Sequence, residues 1–197
     1  KYRSINLEQC FNIWDGFITP HFGTESLLIK FNFSINSSIL NNDVTNLNKI
    51  KRIKKTIKSL EGNDIYLLTH LGRPESYDPK LSTRILKRHF INVKIIENVR
   101  FNHEEYSNDQ KFAKDLSSVA DIYVNEAWAC SHRKHASIDA ITNFLPSYAG
   151  PNFVEELENI EKIKNNLKEK STLILGGSKL DKLKNLEKAL SKFDKVI

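Results

Sequence analysis

Methionine is absent from this chain and cysteine nearly so, with only Cys10 and Cys130 among 197 residues. Two thiols are too few for a disulfide scaffold, so a reducing, cytoplasmic setting is expected. No run of eighteen apolar residues occurs, so no transmembrane helix is available. No basic stretch leads into an apolar one at the start, so no secretory signal is visible. Arginine is the other scarcity: it supplies 7 of the 30 basic residues, and lysine supplies the rest. Against 24 acidic residues this gives a net charge of +6. Such an excess suits nucleic acid, membrane headgroups or small anions, or no partner beyond water. Where lysine fills the ordinary surface, an arginine points to a need for its planar, bidentate fork. What remains is ordinary: 40% hydrophobic and 27% charged residues, the balance of a folded globular chain with a real core.

Apolar residues switch between strand and helix periodicity along the chain. Residues 27–33 (LLIKFNF) predict a strand. Leu47, Ile50, Ile53, Ile57 and Leu60 mark one face of a helix whose other faces carry Lys49, Lys51, Lys54, Lys55 and Lys58. A strand at 64–69, a helix at 81–90 and a strand at 93–97 follow. Next come a helix at 108–119 with Asn108 as its cap, a strand at 121–125 and a polar loop through 137. A long charged helix runs from Phe153 to Leu167, with Val154, Leu157, Ile160, Ile163 and Leu167 facing inward. A strand at 172–175 leads through Gly176-Gly177 to a last helix carrying Leu183, Leu186, Leu190 and Phe193, and one more strand opens at 195–197. This alternation predicts an α/β fold: a three-layer parallel sheet with helices on both faces, Rossmann-like, with an incomplete second α/β domain. The charged helix at 153–167 is the boundary between two β-α blocks.

Ligands of open α/β sheets bind beyond the carboxyl ends of the strands. Asn32 and Ser34 end the first strand, and His70 and Arg73 follow the second. Arg100 follows the third, His132 and Arg133 the fourth, and Gly176 to Lys179 the fifth. Three of seven arginines thus fall at strand ends, as a pocket for phosphate or carboxylate groups requires. Each motif has a plainer reading. His70-Leu71-Gly72-Arg73-Pro74 could be an ordinary exit turn, and Glu97 to Phe101 could carry a surface arginine. Cys130, His132 and His135 are crowded potential metal ligands, but no second Cys/His pair completes a closed zinc site, so no metal is expected. Leu175 to Lys179 brings backbone N–H groups towards a phosphate without being a Walker A sequence. The lysine-rich helix lacks interleaved aromatics, so a solvated face is expected there and no nucleic acid partner.

Taken together and in order, the motifs resemble one family, phosphoglycerate kinase. Residues 29–36 (IKFNFSIN) are similar to its first strand, VRVDFNVP, and Asn48-Lys49-Ile50 to its TRI segment. HLGRP at 70–74 and ENVRF at 97–101 match throughout. Residues 125–137 (NEAWACSHRKHAS) resemble NDAFGTAHRAHAS, and FLPSYAG at 144–150 and LGGSK at 175–179 complete the series. The resemblance implies reversible phosphoryl transfer between ATP and the carboxylate of 3-phosphoglycerate in glycolysis, by a cytoplasmic monomer, with Mg2+ carried by ATP or ADP. It implies a 3-phosphoglycerate domain at 1–152, an interdomain helix at 153–170 and the first β-α unit of a nucleotide domain at 171–197.

By position, Asn32 and Ser34 would meet the glycerate hydroxyl and carboxylate. His70, Leu71, Gly72, Arg73, Arg100, His132 and Arg133 would surround the phosphate end. Lys49 and Lys179 would steady the transferring phosphoryl, and Gly176, Gly177, Lys179 and Lys182 would hold nucleotide phosphates. Four departures accompany the resemblance. Asn32 and Ser34 replace Asp and Asn, and Lys49 replaces an arginine that it cannot imitate as a fork. The segment between HLGRP and ENVRF is short, and the motifs of the second domain stop after its first β-α unit. An anion-binding relative without turnover is the alternative expectation.

Overall fold

A computed structural model of the chain describes residues 25–32, 39–40, 43–44, 47–166, 171–174 and 193–197. Ser34, Gly176, Gly177, Lys179, Lys182 and the expected last helix from Leu183 through Leu190 lie outside the described residues. The chain divides into two compact units, through Val154 and from Glu155.

In chain order the first unit contains β1 (Ser26–Lys30), β2 (Ile39–Leu40), β3 (Asp43–Val44), α1 (Leu47–Ser59), β4 (Asp64–Leu68) and β5 (Val93–Ile95). It continues with α2 (His103–Tyr106), α3 (Gln110–Ser117), β6 (Ile122–Asn125) and β7 (Ser147–Ala149), and α4 (Pro151–Asn166) begins at its end. Five strands form one parallel sheet in the order β5-β4-β1-β6-β7. β2 and β3 make a separate antiparallel pair. In the second unit, β8 (Thr172–Leu173) pairs in parallel with β9 (Lys195–Val196), the strand expected to open at 195.

Strand alternation builds two cores. Leu27, Ile29, Ile65 and Leu67 face one side and pack with Ile50, Ile53 and Leu60 from α1 and its exit. Leu28, Leu68 and Tyr123 face the other and pack with Ala113, Ala136 and Ile141, with Phe112 and Leu116 of α3 against them. β1 is buried on both faces, as a central parallel strand should be. Among the described residues no helix is long and apolar enough to cross a membrane.

Several expectations are corrected. The helix expected at 81–90 is a pair of short 3-10 helices, Pro79–Leu81 and Thr83–His89. The Thr83 N–H donates to Glu97 Oε1 at 2.9 Å and its hydroxyl to the Ile96 carbonyl at 2.7 Å, so this turn is tethered to the exit of β5. Asp109, not Asn108, caps α3, accepting from the Phe112 N–H at 2.7 Å. Asn108 instead adopts a left-handed conformation (φ 58°) and accepts from the Ala140 N–H at 3.0 Å. The loop through 137 is not wholly polar: Ala127, Cys130 and Ile138 form a small core of their own. Ile163, expected inward on α4, is 57% exposed. β7 carries no alternation that would reveal it, since all three of its residues are half-buried.

Candidate functional site

Because the five strands run in parallel, their carboxyl ends share one edge. There Lys30, at the end of β1, stands in register with Leu68 of β4 and Asn125 of β6. Lys30 lies on the same strand face as Leu28 and is fully buried, and its Nζ has no hydrogen-bond partner. Burial costs such an ammonium heavily unless a counter-charge is near. Burial indeed pulls Lys30 below the ordinary lysine range, opposed by Glu105 and Cys130 and assisted by Arg100.

The exits of β4 and β5 are stapled together. Asn98 donates to the carbonyls of Leu71 at 2.8 Å and Leu81 at 2.9 Å. Arg100 donates through Nη1 to the Gly72 carbonyl at 2.7 Å, and its guanidinium lies 5.5 Å from the Tyr106 ring centre. Gly72 has φ +64°, and an added Cβ would stand 3.0 Å from Leu81 Cδ1, so glycine is favoured there. One nitrogen of Arg100 is therefore committed to the loop, whereas Nε is buried without a partner. His70 sits beside this staple, buried, with Nδ1 unpartnered.

The exit of β6 supplies the third wall. Asn125 turns the chain by accepting from the Ala127 N–H at 2.9 Å and donating to Ser131 Oγ at 3.1 Å. The loop then carries half-buried Arg133 and His135. Glu105 of α2 is buried and accepts from the Ser137 N–H at 2.9 Å and hydroxyl at 2.7 Å, with His135 Nδ1 3.5 Å away.

Electrostatics show which of these groups share a space. His70 is held far below the ordinary histidine range by burial first, then by Lys30, Arg100, Arg133 and His135. Burial also lowers Arg100, with Tyr106 and Glu105 opposing and Arg133 assisting. Burial pushes Glu105 up, but His135, Lys30 and Ser137 together leave its carboxyl below the ordinary range. Burial pushes the Cys130 thiol up. Lys30, Arg100 and Arg133 thus all act on His70, with Glu105 opposing Lys30 and Arg100, and Lys30 Nζ, His70 Nδ1, Arg100 Nε and Asn32 Oδ1 are buried without partners. Unsatisfied buried groups of this kind call for a ligand that supplies the missing contacts. A small anion with a second polar end fits them.

The electrostatics carry a pH prediction. An unfolded chain protonates His70 near 6.5 and the folded chain does not. Below that pH the unfolded state binds more protons, so folding stability falls as acid is added. Glu105 and Glu97, both lowered in the fold, add losses of the same sign below about 4.5. Glu126, raised in the fold, opposes them in the window just above 4.5. Urea midpoints measured from pH 7.5 to 5.5 should decline; a flat or rising series would show that His70 is not buried neutral.

Of the expected site residues, His70, Arg100 and Arg133 share the cluster, and Leu71 and Gly72 form its floor turn. Asn32 presents its unpartnered oxygen just beyond β1. Arg73 and His132 are exposed side chains on the same two loops. Lys49 lies half-buried in the first turn of α1, and burial lowers its ammonium. Lys30, Glu105 and His135 were not expected. Lys30 did leave a signal, as a lone charge in the otherwise apolar run LLIK, and His135 stands two residues from Arg133. Glu105 left none, because an acid in a surface-like HEEY segment says nothing of burial. Among the described residues no group of three or more His, Cys, Asp or Glu side chains could hold a metal ion.

Fold and site together define an α/β protein with a cluster of buried cationic side chains at the carboxyl edge of its parallel sheet. Residues 87–197, more than half of the chain, match the family model described as phosphoglycerate kinase. The chain belongs to the phosphoglycerate kinase family. A phosphoglycerate kinase from Wolbachia pipientis of Culex pipiens is 35% identical over 207 residues, covering 89% of this chain and 52% of the relative. One from Finegoldia magna is 34% identical, covering 86% and 50%. The solved phosphoglycerate kinase of Coxiella burnetii superposes with a TM-score of 0.74 at 27% identity, covering 90% of this chain and 53% of that one. That of Pyrococcus horikoshii, at 22% identity and TM-score 0.72, shares the fold. The chain spans about half the length of the curated relatives it matches.

Proposed function

We propose that this chain forms the 3-phosphoglycerate half of a phosphoglycerate kinase, the enzyme that moves a phosphoryl group reversibly between ATP and the carboxylate of 3-phosphoglycerate. The observation that carries the reading is the set of buried, unpartnered cationic and polar atoms of Lys30, His70, Arg100 and Asn32 at one sheet edge. Arg133, Arg100 and Lys30 supply charge for the phosphate of the substrate. Neutral His70 offers a hydrogen bond without adding a fourth buried charge. Asn32 Oδ1 accepts from the glycerate hydroxyl, and the resemblance assigns Ser34, outside the described residues, to the carboxylate. Arg73 and His132 close the outer rim, over the turn at Leu71 and Gly72.

Lys49 steadies the phosphoryl in transit as a point charge. Phosphoryl transfer demands positioning and charge neutralisation more than covalent chemistry, and these side chains are suited to that. In the same reading residues 1–152 form the substrate domain, 153–170 the interdomain helix and 171–197 the start of the nucleotide domain. Gly176, Gly177, Lys179 and Lys182 would hold the phosphates of ATP or ADP, whose Mg2+ travels with the nucleotide. A cytoplasmic monomer completes the assignment.

Calorimetry of the 197-residue chain with 3-phosphoglycerate tests this. Binding is expected, and Arg133→Ala should weaken it by about 1.5–3 kcal/mol, the worth of a charged hydrogen bond. Arg73→Ala, at an exposed position, should cost less than about 1 kcal/mol. No heat of binding, or an Arg133→Ala variant of unchanged affinity, would overturn the reading.

A further inference from the structure

We infer that Glu105 is the positioning residue of this anion cradle: from beneath, it orients the imidazole of His135 and fixes the loop that carries Arg133. The inference rests on the functional reading above for the identity of the ligand, but not for the geometry.

Glu105 stands in α2, outside every loop that lines the crevice, and only 1% of it is exposed. A carboxylate so placed must be fully engaged. Its Oε2 takes the Ser137 N–H at 2.9 Å, and its Oε1 takes the Ser137 hydroxyl at 2.7 Å with His135 Nδ1 3.5 Å away. Its own backbone carbonyl accepts from the Ala136 N–H at 3.0 Å. Ser137 is therefore bonded to the carboxylate and Ala136 to the backbone of this one residue, and His135 Nδ1 faces the carboxylate across 3.5 Å. With Nδ1 turned towards Glu105, the opposite nitrogen of the ring, Nε2, is turned away from it. An edge-on contact with Tyr106, 5.5 Å between ring centres, restricts the ring further.

A buried acid behind a histidine sets the ring's tautomer as well as its direction. Glu105 also balances Lys30, which lies at the floor of the same crevice without a hydrogen bond. The groups that face His135 are Glu105 and the Tyr106 ring from α2 and neutral His70 from the exit of β4, with Arg133 two residues away on its own loop. Arg133 lies two residues from His135, so a loop released from Glu105 displaces the arginine together with the imidazole. A merely structural acid would hold the fold without coupling to these two side chains.

The test pairs binding with a ligand-free measurement on the full 197-residue chain. Glu105→Gln keeps the shape and removes the charge, and Glu105→Asp keeps the charge. Affinity for 3-phosphoglycerate should fall about tenfold in Glu105→Gln, as for loss of one coupled contact, and recover in part in Glu105→Asp. In a His135→Ala background the same Gln substitution should cost at most about threefold, the non-additivity of residues that act as one unit. The ligand-free arm is 15N NMR of the imidazoles. The His135 signals should report a proton on Nδ1 in the parent chain and change in Glu105→Gln.

Equal losses in both backgrounds, or His135 signals that stay the same in Glu105→Gln, would overturn the positioning role. A parent chain that binds no 3-phosphoglycerate while its His135 signals still move would remove the functional reading and uphold the role of Glu105. If Glu105→Gln does not fold, Ser137→Ala serves in its place. That variant removes the hydroxyl contact to Oε1 and keeps the backbone N–H contact to Oε2, and its affinity loss should again shrink in the His135→Ala background.

Discussion

On the proposed function, replacing Lys30 by methionine should make the folded chain more stable and strip it of most of the affinity for 3-phosphoglycerate that this reading assigns to it. The two effects have one origin. Lys30 is fully buried at the end of the central strand, with no hydrogen-bond partner and with Arg100 close enough to disfavour its charge. Among the described residues Glu105 is the carboxylate that compensates it, and Glu105 already serves Ser137 and faces His135. Methionine is unbranched, of similar length and apolar, so it fills the same space without demanding solvation. Removing a poorly compensated buried charge in this way should raise stability by about 1–2 kcal/mol. For a chain of this size that is roughly 2–8 °C in melting temperature.

The ligand would lose a charged contact worth about 2–3 kcal/mol, so binding should weaken by roughly 30- to 150-fold. A thermal melt followed by circular dichroism and a calorimetric titration read both quantities in one preparation. A lower melting temperature would mean that the ammonium is well satisfied in the fold. Unchanged affinity would take Lys30 out of the site. The expected opposition of the two effects is the mark of a residue kept for function at the expense of the fold.

How much of this was legible in the sequence varies with the kind of signal each residue leaves. β1, α1 and β4 were readable because Leu27, Ile29, Ile50, Ile53, Ile65 and Leu67 are buried on regular spacings and form one contiguous core. β7 was not, because a half-buried edge strand of three residues has no face to alternate. The segment at 79–90 misled because spacing alone cannot separate an α-helix from successive 3-10 turns; the tether from Thr83 to Ile96 and Glu97 is a contact across 13 or 14 residues that no local pattern encodes.

The site divides along the same line. His70, Arg100 and Arg133 could be placed from strand direction alone, since parallel strands deliver their exits to one edge. Arg100 is not the surface arginine that the plainer reading allowed: it is buried and holds the Gly72 turn. Lys30 and Glu105 depend on which strand face points inward and on how α2 meets the 131–138 loop. Both are tertiary facts.

Gly150→Ala should be among the most damaging single substitutions in the first unit, although glycine at 150 needs no unusual backbone angle. A Cβ there would fall 2.6 Å from Oε1 of Glu126 and 2.5 Å from its Cγ, so the glutamate must move. It has nowhere to go. Glu126 is buried, and its Oε1 accepts from the Thr56 hydroxyl at 2.5 Å and the Asn152 amide at 3.0 Å. Its Oε2 accepts from the Phe153 N–H at 3.1 Å, within the first turn of α4. Asn152 in turn takes the Arg52 side chain at 3.1 Å, so the carboxylate joins α1 to the start of α4.

Overpacking costs about 1–3 kcal/mol, and a displaced buried acceptor leaves donors unsatisfied at a similar cost each. Together they predict a loss of about 3 kcal/mol in urea unfolding. The segment NEAW at 125–128 carries Glu126 where the motif it resembles has aspartate, one methylene shorter. In this chain a Cβ at 150 would meet the longer side chain directly. Glu126→Asp alone should destabilise by about 1 kcal/mol, by drawing the carboxylate back from Thr56 and Asn152. Combined with Gly150→Ala it should restore at least about half of the stability lost, because the space the methyl needs has been vacated. Additive losses in the double variant would show that the clash lies with the backbone and not with Glu126.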